Sequence, residues 1–384
     1  MTDSNVRELH AERMARLTLS LVFEPGDDRA WKLCAELGAQ EFLERLRSDR
    51  AAADIRTDAG TRLPFVQPEA EHERALASGL RFVIPGDPEW PVSVDDLTTA
   101  PPLVRRGGPP LGLWVRGVRR LDEIGRAVAI VGSRAATTYG TDAAQRIAGT
   151  VATAGWTVVS GGAYGVDQAA HRGAMGVNGF TVAVMAHGLD RTYPAGHTEL
   201  VDAIADSGLV VSELAPGTSP SRIRFLARNR LIAAFAQGTV VVEARVRSGA
   251  LNTANWTGRL HRPLMGVPGP VTSAFSAGVH ELVRSGAGTL VTSGEEVVDV
   301  IGAIGEHVAP EHRAPARARD RQDLRAQQIL DAVPVGRPAP TDAVARTAGI
   351  GVVEARRALD TLEKRGLVVS DSGGWRLTPE ALAP

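Results

Sequence analysis

The chain has 384 residues, 43 of them lysine or arginine and 44 aspartate or glutamate, for a formal net charge of -1 with histidines neutral. That length exceeds one ordinary domain, and 43% hydrophobic with 23% charged residues suits a globular protein with a substantial core. The balance excludes a global field for polyanions, so any phosphate site must be a local patch, and a single cysteine, Cys34, excludes an internal disulfide or a cysteine zinc site.

Residues 6–48 carry helical periodicity. "ELHAERMARLTLSLV" sets Leu9, Met14, Leu17 and Leu21 near one face, "PGDD" breaks it, and "RAWKLCAELGAQEFLERLRS" adds one or two short helices holding Cys34 as a small buried hydrophobe. "DRAAADIRTDAGTRLP" reads as a polar connection, followed by a helix around Glu69–Ser78. The amino-terminal "MTDSNVRELHAERMARL" has no apolar h-region, and no stretch approaches ~18 uninterrupted apolar residues, so the expectation is a cytoplasmic protein without membrane contact.

Beyond "LRFVIPGDPEWPVSVDDL" short apolar runs alternate with alanine-rich helical stretches. The runs "AVAIVG", "WTVVSGG", "FTVAVMAHG", "GLVVSEL", "GTVVVEA" and "PLMGVPG" are continuous rather than alternating, as strands buried on both faces are. Repeated strand–helix units predict an α/β fold, a parallel sheet with helices on both faces. "GEHVAPEHRAPARARDRQ" (305–322) reads as a linker, and the tail as three helices and a hairpin, "LVVSDSGGWRLTP", which suggests a winged-helix module. The division is 1–65 helical, 66–304 α/β, 305–322 linker and 323–384 winged helix.

The ligand crevice of an open parallel sheet lies at the carboxyl ends of its strands. After the first buried run come Gly132, Ser133 and Arg134; after the second come Ser160, Gly161, Gly162, Tyr164 and Gly165, before a helix starting near Asp167. Small residues let backbone amides approach an anion, and helix starts add partial positive charge; tight strand-to-helix packing explains the same glycines equally well. There is no GxGxxG and no GxxxxGK[ST], so no nucleotide cofactor and no ATP hydrolysis are expected. "SRIRFLARNRLIAAF" is the strongest feature. Residues 214–242 hold Arg222, Arg224, Arg228 and Arg230 with no acid, and Phe225 and Asn229 lie among them. Guanidinium groups beside an aromatic supply what single-stranded nucleic acid needs, charge for its backbone and a ring for a base, although lysine at only Lys32 and Lys364 shows that arginine is the chain's default cation. Asp167 and His171, four apart on a helix, are a base with its orienting acid, half of a metal site, or a cap and a buried histidine, and Ser248-Gly249 after a strand is either a phosphate contact or a plain cap. The third tail helix sets Arg356, Arg357, Lys364 and Arg365 against Glu354, Asp360 and Glu363, a thin excess that suits DNA or protein contact equally.

"IVGSRAATTYG", "VVSGGAYGVDQAAH", "VAVMAHGLDRTYPAGH", "FLARNRLIA", "VVEARVRSGALNTA" and "GVPGP" occur in the order and spacing of the DNA-processing protein A family (DprA, or Smf), which the chain resembles over about residues 80–300. The resemblance implies an extended Rossmann fold, a SAM-like amino-terminal domain and a winged-helix carboxyl-terminal one. It implies a non-enzymatic homodimer that binds single-stranded DNA, hands it to the recombinase RecA and helps displace single-strand-binding protein, in natural transformation or general recombination. By motif, Gly132, Ser133, Arg134, Ser160, Gly161, Gly162, Arg222, Arg228, Arg230, Ser248 and Gly249 would hold phosphates, and Phe225 and Tyr164 would stack on bases. Tyr164 stands where the family often has arginine, "FLARNR" replaces "FPRRNR", and "LNTA" replaces "LITA". The competing reading is a nucleoside-monophosphate phosphoribohydrolase of the lysine-decarboxylase-like group, whose PGGxGTxxE signature is here "EARVRSGALNTA", without the glycine pair or the final glutamate.

Overall fold

A computed structural model describes residues 3–48, 50–303, 321–371 and 373–382. The chain divides into two compact units, Met1–Ala309 and Pro310–Pro384.

The first unit opens with helices α1 (Asp3–Val22), α2 (Asp28–Leu37), α3 (Ala39–Arg47), α4 (Ala53–Gly60) and α5 (Pro68–Ala77). Asp27 starts α2 by accepting from the Arg29 and Ala30 amides, and Gly38, at φ +81°, turns the chain into α3. Buried Leu19, Phe23, Cys34, Phe42, Leu43 and Ile55 form the core of these helices. Helix α4 lies in the stretch read as a polar connection. Its Ile55 and Ala59, four apart, face that core, a signal too short to stand out among the polar residues around it.

The sheet contains β1 (Arg81–Val83), β2 (Leu113–Arg116), β3 (Ala127–Val131), β4 (Thr157–Gly161), β5 (Thr181–Met185), β6 (Leu209–Ser212), β7 (Gly238–Val241), β8 (Leu264–Gly266) and β9 (Thr289–Leu290). Between and after the strands run α6 (Thr138–Thr153), α7 (Val166–Met175), α8 (Thr198–Ser207), α9 (Arg222–Phe235), α10 (Gly249–Arg259), α11 (Ala277–Arg284) and α12 (Gly294–Ile301). Among the described residues the order is β1-β2-β6-β5-β4-β3-β7-β8-β9. Strands β3 to β9 pair in parallel, while β1 and β2 add an antiparallel margin that the continuous apolar runs did not announce. Every residue of β3, β4, β5, β6 and β7 is buried, as the runs require. One face is covered by α9, α10 and α11 through Leu231, Phe235, Trp256 and Val279; the other by α6, α7 and α12 through Ile147, Val151, Val166 and Val298. Each fully buried leucine, valine or phenylalanine contributes roughly 1.5–3 kcal/mol by leaving water. Helix α1 joins the fold through Met14 and Leu17, which pack with Phe82 and Trp114 of the antiparallel margin. No described helix is long and apolar enough to cross a membrane.

The second unit contains α13 (Leu324–Ala332), α14 (Thr341–Ala348), α15 (Val352–Lys364), the antiparallel pair β10 (Val368–Asp371) and β11 (Gly374–Leu377), and α16 (Pro379–Leu382). Ile329, Leu330, Val344, Leu359, Leu362 and Trp375 form its own core, and the Trp375 indole donates to the Thr341 hydroxyl at 3.0 Å. Most of the expected linker, residues 305–320 of 305–322, lies outside the described residues.

Candidate nucleic-acid interface

From β3 the chain builds outward through β4 and β5 to β6, then returns along α9 to place β7 on the other side of β3. The order therefore reverses between β3 and β7, and the crevice of an open α/β sheet opens at such a reversal, past the carboxyl ends of the strands. A cleft of about 720 Å³ occupies that position. Gly132, Ser133 and Arg134 from β3 form one wall, α9 its floor through Arg222, Phe225, Arg228 and Asn229, and the segment Arg245–Thr253 after β7 its far wall.

The turns depend on close backbone approach. A Cβ on Gly132 would fall 2.5 Å from the Val166 side chain. Gly165, at φ +77°, would place one 2.3 Å from the Ser133 carbonyl. Both glycines therefore serve the packing of β3 against α7 that sequence alone left open as their role, and the same closeness puts Ser133 and Arg134 at the rim.

The four arginines of α9 divide into two pairs. Arg222 is exposed at the first residue of the helix, and Arg228, only 7% exposed, lies under the cleft with its guanidinium donating to the Val184 carbonyl. Burial pushes the Arg228 guanidinium down to about 10, against the nearby Asp167 carboxylate, so it stays charged at neutral pH. Phe225 sits between cations, 4.4 Å from the Arg134 guanidinium carbon and 5.9 Å from that of Arg228. The other pair is engaged elsewhere. Arg224 makes a two-pronged pair with Glu24 at 2.8 and 2.9 Å. Arg230, expected to hold phosphate, is 0% exposed; it grips Glu213 through two bonds of 2.7 Å and donates to the Gly108 carbonyl at 3.0 Å. Its guanidinium is satisfied inside the fold and does not border the cleft. The acid-free reading of 214–242 is correct along the chain and incomplete in space, because the neutralising acids come from the α1–α2 turn and the end of β6.

The second turn lies further back than expected. Ser160 is fully buried and donates to the Ile130 carbonyl at 2.6 Å. Gly161 leaves room for Arg228, whose Nη1 would lie 2.4 Å from a Cβ there. The Gly162 carbonyl accepts from His197 at 3.0 Å, and Tyr164, 47% exposed, meets the His197 ring edge-on at 4.2 Å. None of these four borders the cleft; Ala163 and Asp167 do. Burial raises the Asp167 carboxyl to about 6, with the charges of Arg228 and Arg134 pulling the other way. His171 pairs instead with Thr181. The Thr181 hydroxyl donates to the Val158 carbonyl at 2.8 Å and so accepts from His171 Nδ1 at 2.8 Å, and burial pushes the imidazole down to about 3, leaving it neutral.

On the far wall Ser248 begins α10 without a capping hydrogen bond, and its buried hydroxyl oxygen has no partner. Gly249 is exposed, its carbonyl held by the Asn229 amide at 3.2 Å. Arg245 and Arg247 stand beside them and were not singled out, although "EARVRSG" carries them directly before the serine. Glu243, just upstream, does not border the cleft; it accepts from the Thr137 amide and hydroxyl at 2.9 and 2.6 Å and so anchors the start of α6. Among the described residues none of Arg134, Arg222, Arg228, Arg245 or Arg247 forms a salt bridge with a carboxylate, whereas Asp167 is the acid on the lining. Five cations against one acid make this a local anion trap in a protein of nearly neutral overall charge.

A family model described as DNA recombination-mediator protein A matches residues 81–302. The putative DNA processing protein DprA of Mycobacterium tuberculosis is 41% identical over 362 residues, covering 94% of this chain and 92% of the relative. Protein Smf of Escherichia coli is 36% identical over 253 residues, 65% of this chain and 67% of the relative. Among solved structures, DNA processing protein A from Streptococcus pneumoniae matches with a TM-score of 0.57 at 28% identity, over 76% of this chain and 98% of that one. DNA processing protein A from Helicobacter pylori, whose structure was described for its single-stranded DNA binding mode, matches with a TM-score of 0.50 at 27% identity, over 57% and 94%.

Proposed function

The chain belongs to the DNA recombination-mediator protein A family, also called DprA or Smf, and on that premise we propose that it binds single-stranded DNA in the switch-point cleft and acts by holding the strand, with no chemical step. The observation that carries this reading is Phe225 flanked by Arg134 and Arg228, neither of them in a salt bridge, in a cleft whose cations outnumber its acid. Backbone phosphates would lie on Gly132, Ser133 and Arg134, on Arg222 and Arg228, and on the open start of α10 at Ser248 and Gly249, while a base stacks on Phe225. Ser160, Gly161 and Gly162 would set the position of Arg228 and the floor rather than touch the strand, and Tyr164 offers an outlying ring. A duplex keeps its bases stacked on each other and cannot use Phe225 in this way, which gives the preference for single strands.

Family membership supports the rest of the proposal: delivery of the strand to RecA, displacement of single-strand-binding protein, action as a homodimer in the cytoplasm, and a winged-helix role for the second unit. The division at 1–65, 66–304, 305–322 and 323–384 belongs to the same proposal. Fluorescence anisotropy with labelled oligonucleotides tests the core of it. Single strands should bind more tightly than duplex, with log K falling linearly as log[salt] rises. Equal affinity for both forms, or no salt dependence, defeats the reading.

A further inference from the structure

The far wall repeats the arrangement of the near one. Arg134 lies over Phe225 at 4.4 Å, and Arg245 lies over Phe275 at 4.3 Å. Both arginines are exposed, both border the cleft, and neither has a carboxylate partner among the described residues. The second pair is rigidly mounted. The Ala244 amide donates to the Phe275 carbonyl at 2.7 Å, and the Gly278 amide donates to the Ala244 carbonyl at 2.8 Å, so the segment carrying Arg245 is stitched to the segment carrying Phe275. A Cβ on Gly278 would lie 2.7 Å from that Ala244 carbonyl, so the stitch needs glycine there. Arg247 follows on the same loop, without a carboxylate partner, and the unpartnered Ser248 hydroxyl comes next along the cleft lining.

We infer that Arg245, Arg247 and Phe275 form a second nucleotide grip, so that one strand spans the cleft from the Arg134–Phe225 wall to the Arg245–Phe275 wall. This rests on the single-stranded DNA reading above. Phe275 holds the Arg245 guanidinium flat, which keeps its donor edge toward a passing phosphate at little cost in side-chain freedom. Arg247 takes a neighbouring phosphate, and the start of α10 lies on the path between the grips.

Oligothymidylates of about 4 to about 16 nucleotides separate the two walls by length. Arg134→Ala should weaken every length that binds. Arg245→Ala, Arg247→Ala and Phe275→Leu should leave the shortest bound oligomer within twofold of wild type and weaken the longest by about tenfold for the arginines, roughly one charged contact. The double variant at 245 and 247 should also flatten the salt slope by about 1.4, two phosphates' worth on a single strand. Phe275→Leu keeps an apolar plug, and unchanged melting temperatures show that each variant folds. Wild-type affinity for long oligomers in all three variants, while Arg134→Ala still weakens binding, overturns the second grip alone. Equal weakening at every length overturns it too, because it assigns Arg245 to the first grip. Insensitivity of binding to Arg134→Ala as well overturns the underlying reading instead.

Discussion

On α9, Arg222 and Arg228 border the cleft without a carboxylate partner, while Arg224 and Arg230, each two residues further on, are clamped by Glu24 and Glu213. A step of two residues turns about 200° around a helix, so each clasped arginine leaves the helix well away from the open one two residues before it, although Arg224 and Arg228, four apart, share a face. Arg222 and Arg228 present charge to the cleft; Arg224 and Arg230 use the same group to tie the helix to the α1–α2 turn and to the residue after β6. The stretch "RIRFLARNR" thus contains a binding surface and a structural clasp, and residue type alone does not separate them. The separation comes from two glutamates, one 200 residues away and one 17.

The largest effect expected from testing this contrast lies on the clasped side. Glu213→Ala leaves a fully buried Arg230 without its partner and should cost about 3–5 kcal/mol, read as a lower denaturation midpoint. The leucine-sized replacement Arg230→Met should cost less, and neither should change single-stranded DNA affinity per folded molecule. On the open side, Arg134→Ala should leave the denaturation midpoint where it is and weaken single-stranded DNA binding by about 1.5–3 kcal/mol, at least tenfold. An exchange of these phenotypes, with Arg134 governing stability and Glu213 governing affinity, would break the contrast.

Smaller effects sharpen it. Burial pushes the Glu24 carboxyl up, but hydrogen bonds and charge from Arg224 and Arg62 outweigh it and hold it below its ordinary 4.5. A depressed carboxylate contributes stability that is present above the ordinary value and disappears as pH falls through the folded one. Glu24→Gln should therefore cost about 1 kcal/mol at neutral pH and nothing in strong acid, by denaturant titration at two pH values. Freed from its acid, Arg224 should also raise DNA affinity about twofold with a steeper salt slope. Asp167 gives the smallest effect, with the opposite sign. Its folded value, raised to about 6 from an ordinary 3.8, means the native state binds more protons between those limits, so stability falls as pH rises through that window. Neutralising the acid in the cleft should tighten DNA binding about twofold as pH drops from 7.5 to 5.5, and Asp167→Asn should remove that dependence while keeping the tighter value.

The parallel sheet was legible because strands buried on both faces need uninterrupted apolar runs, and β3 to β8 fall inside the runs quoted. The antiparallel β1 and β2 were not, because Arg81–Val83 and Leu113–Arg116 are too short to show a period. Gly132, Ser133, Arg134, Arg222, Phe225, Arg228, Ser248 and Gly249 do meet at one cleft, since local turns and strand ends dictate where they emerge. Arg230 did not join them, because its partner, Glu213, approaches through the tertiary fold, and no spacing rule along the chain encodes that meeting. Arg245 escaped notice for the complementary reason. Its significance depends on Phe275, thirty residues on, brought alongside by the Ala244 and Gly278 hydrogen bonds.

Glu24 belongs to the turn that ends α1, while Arg224 belongs to the helix flooring the cleft. Trimming the leading helices is therefore not a neutral shortening. The remnant would carry one more naked cation next to its ligand groove and would lose the two-pronged brace that steadies it. Such a fragment should elute later from heparin than the intact chain and discriminate less between single strands and other polyanions, so the leading helices act as a charge governor for a surface they do not themselves provide.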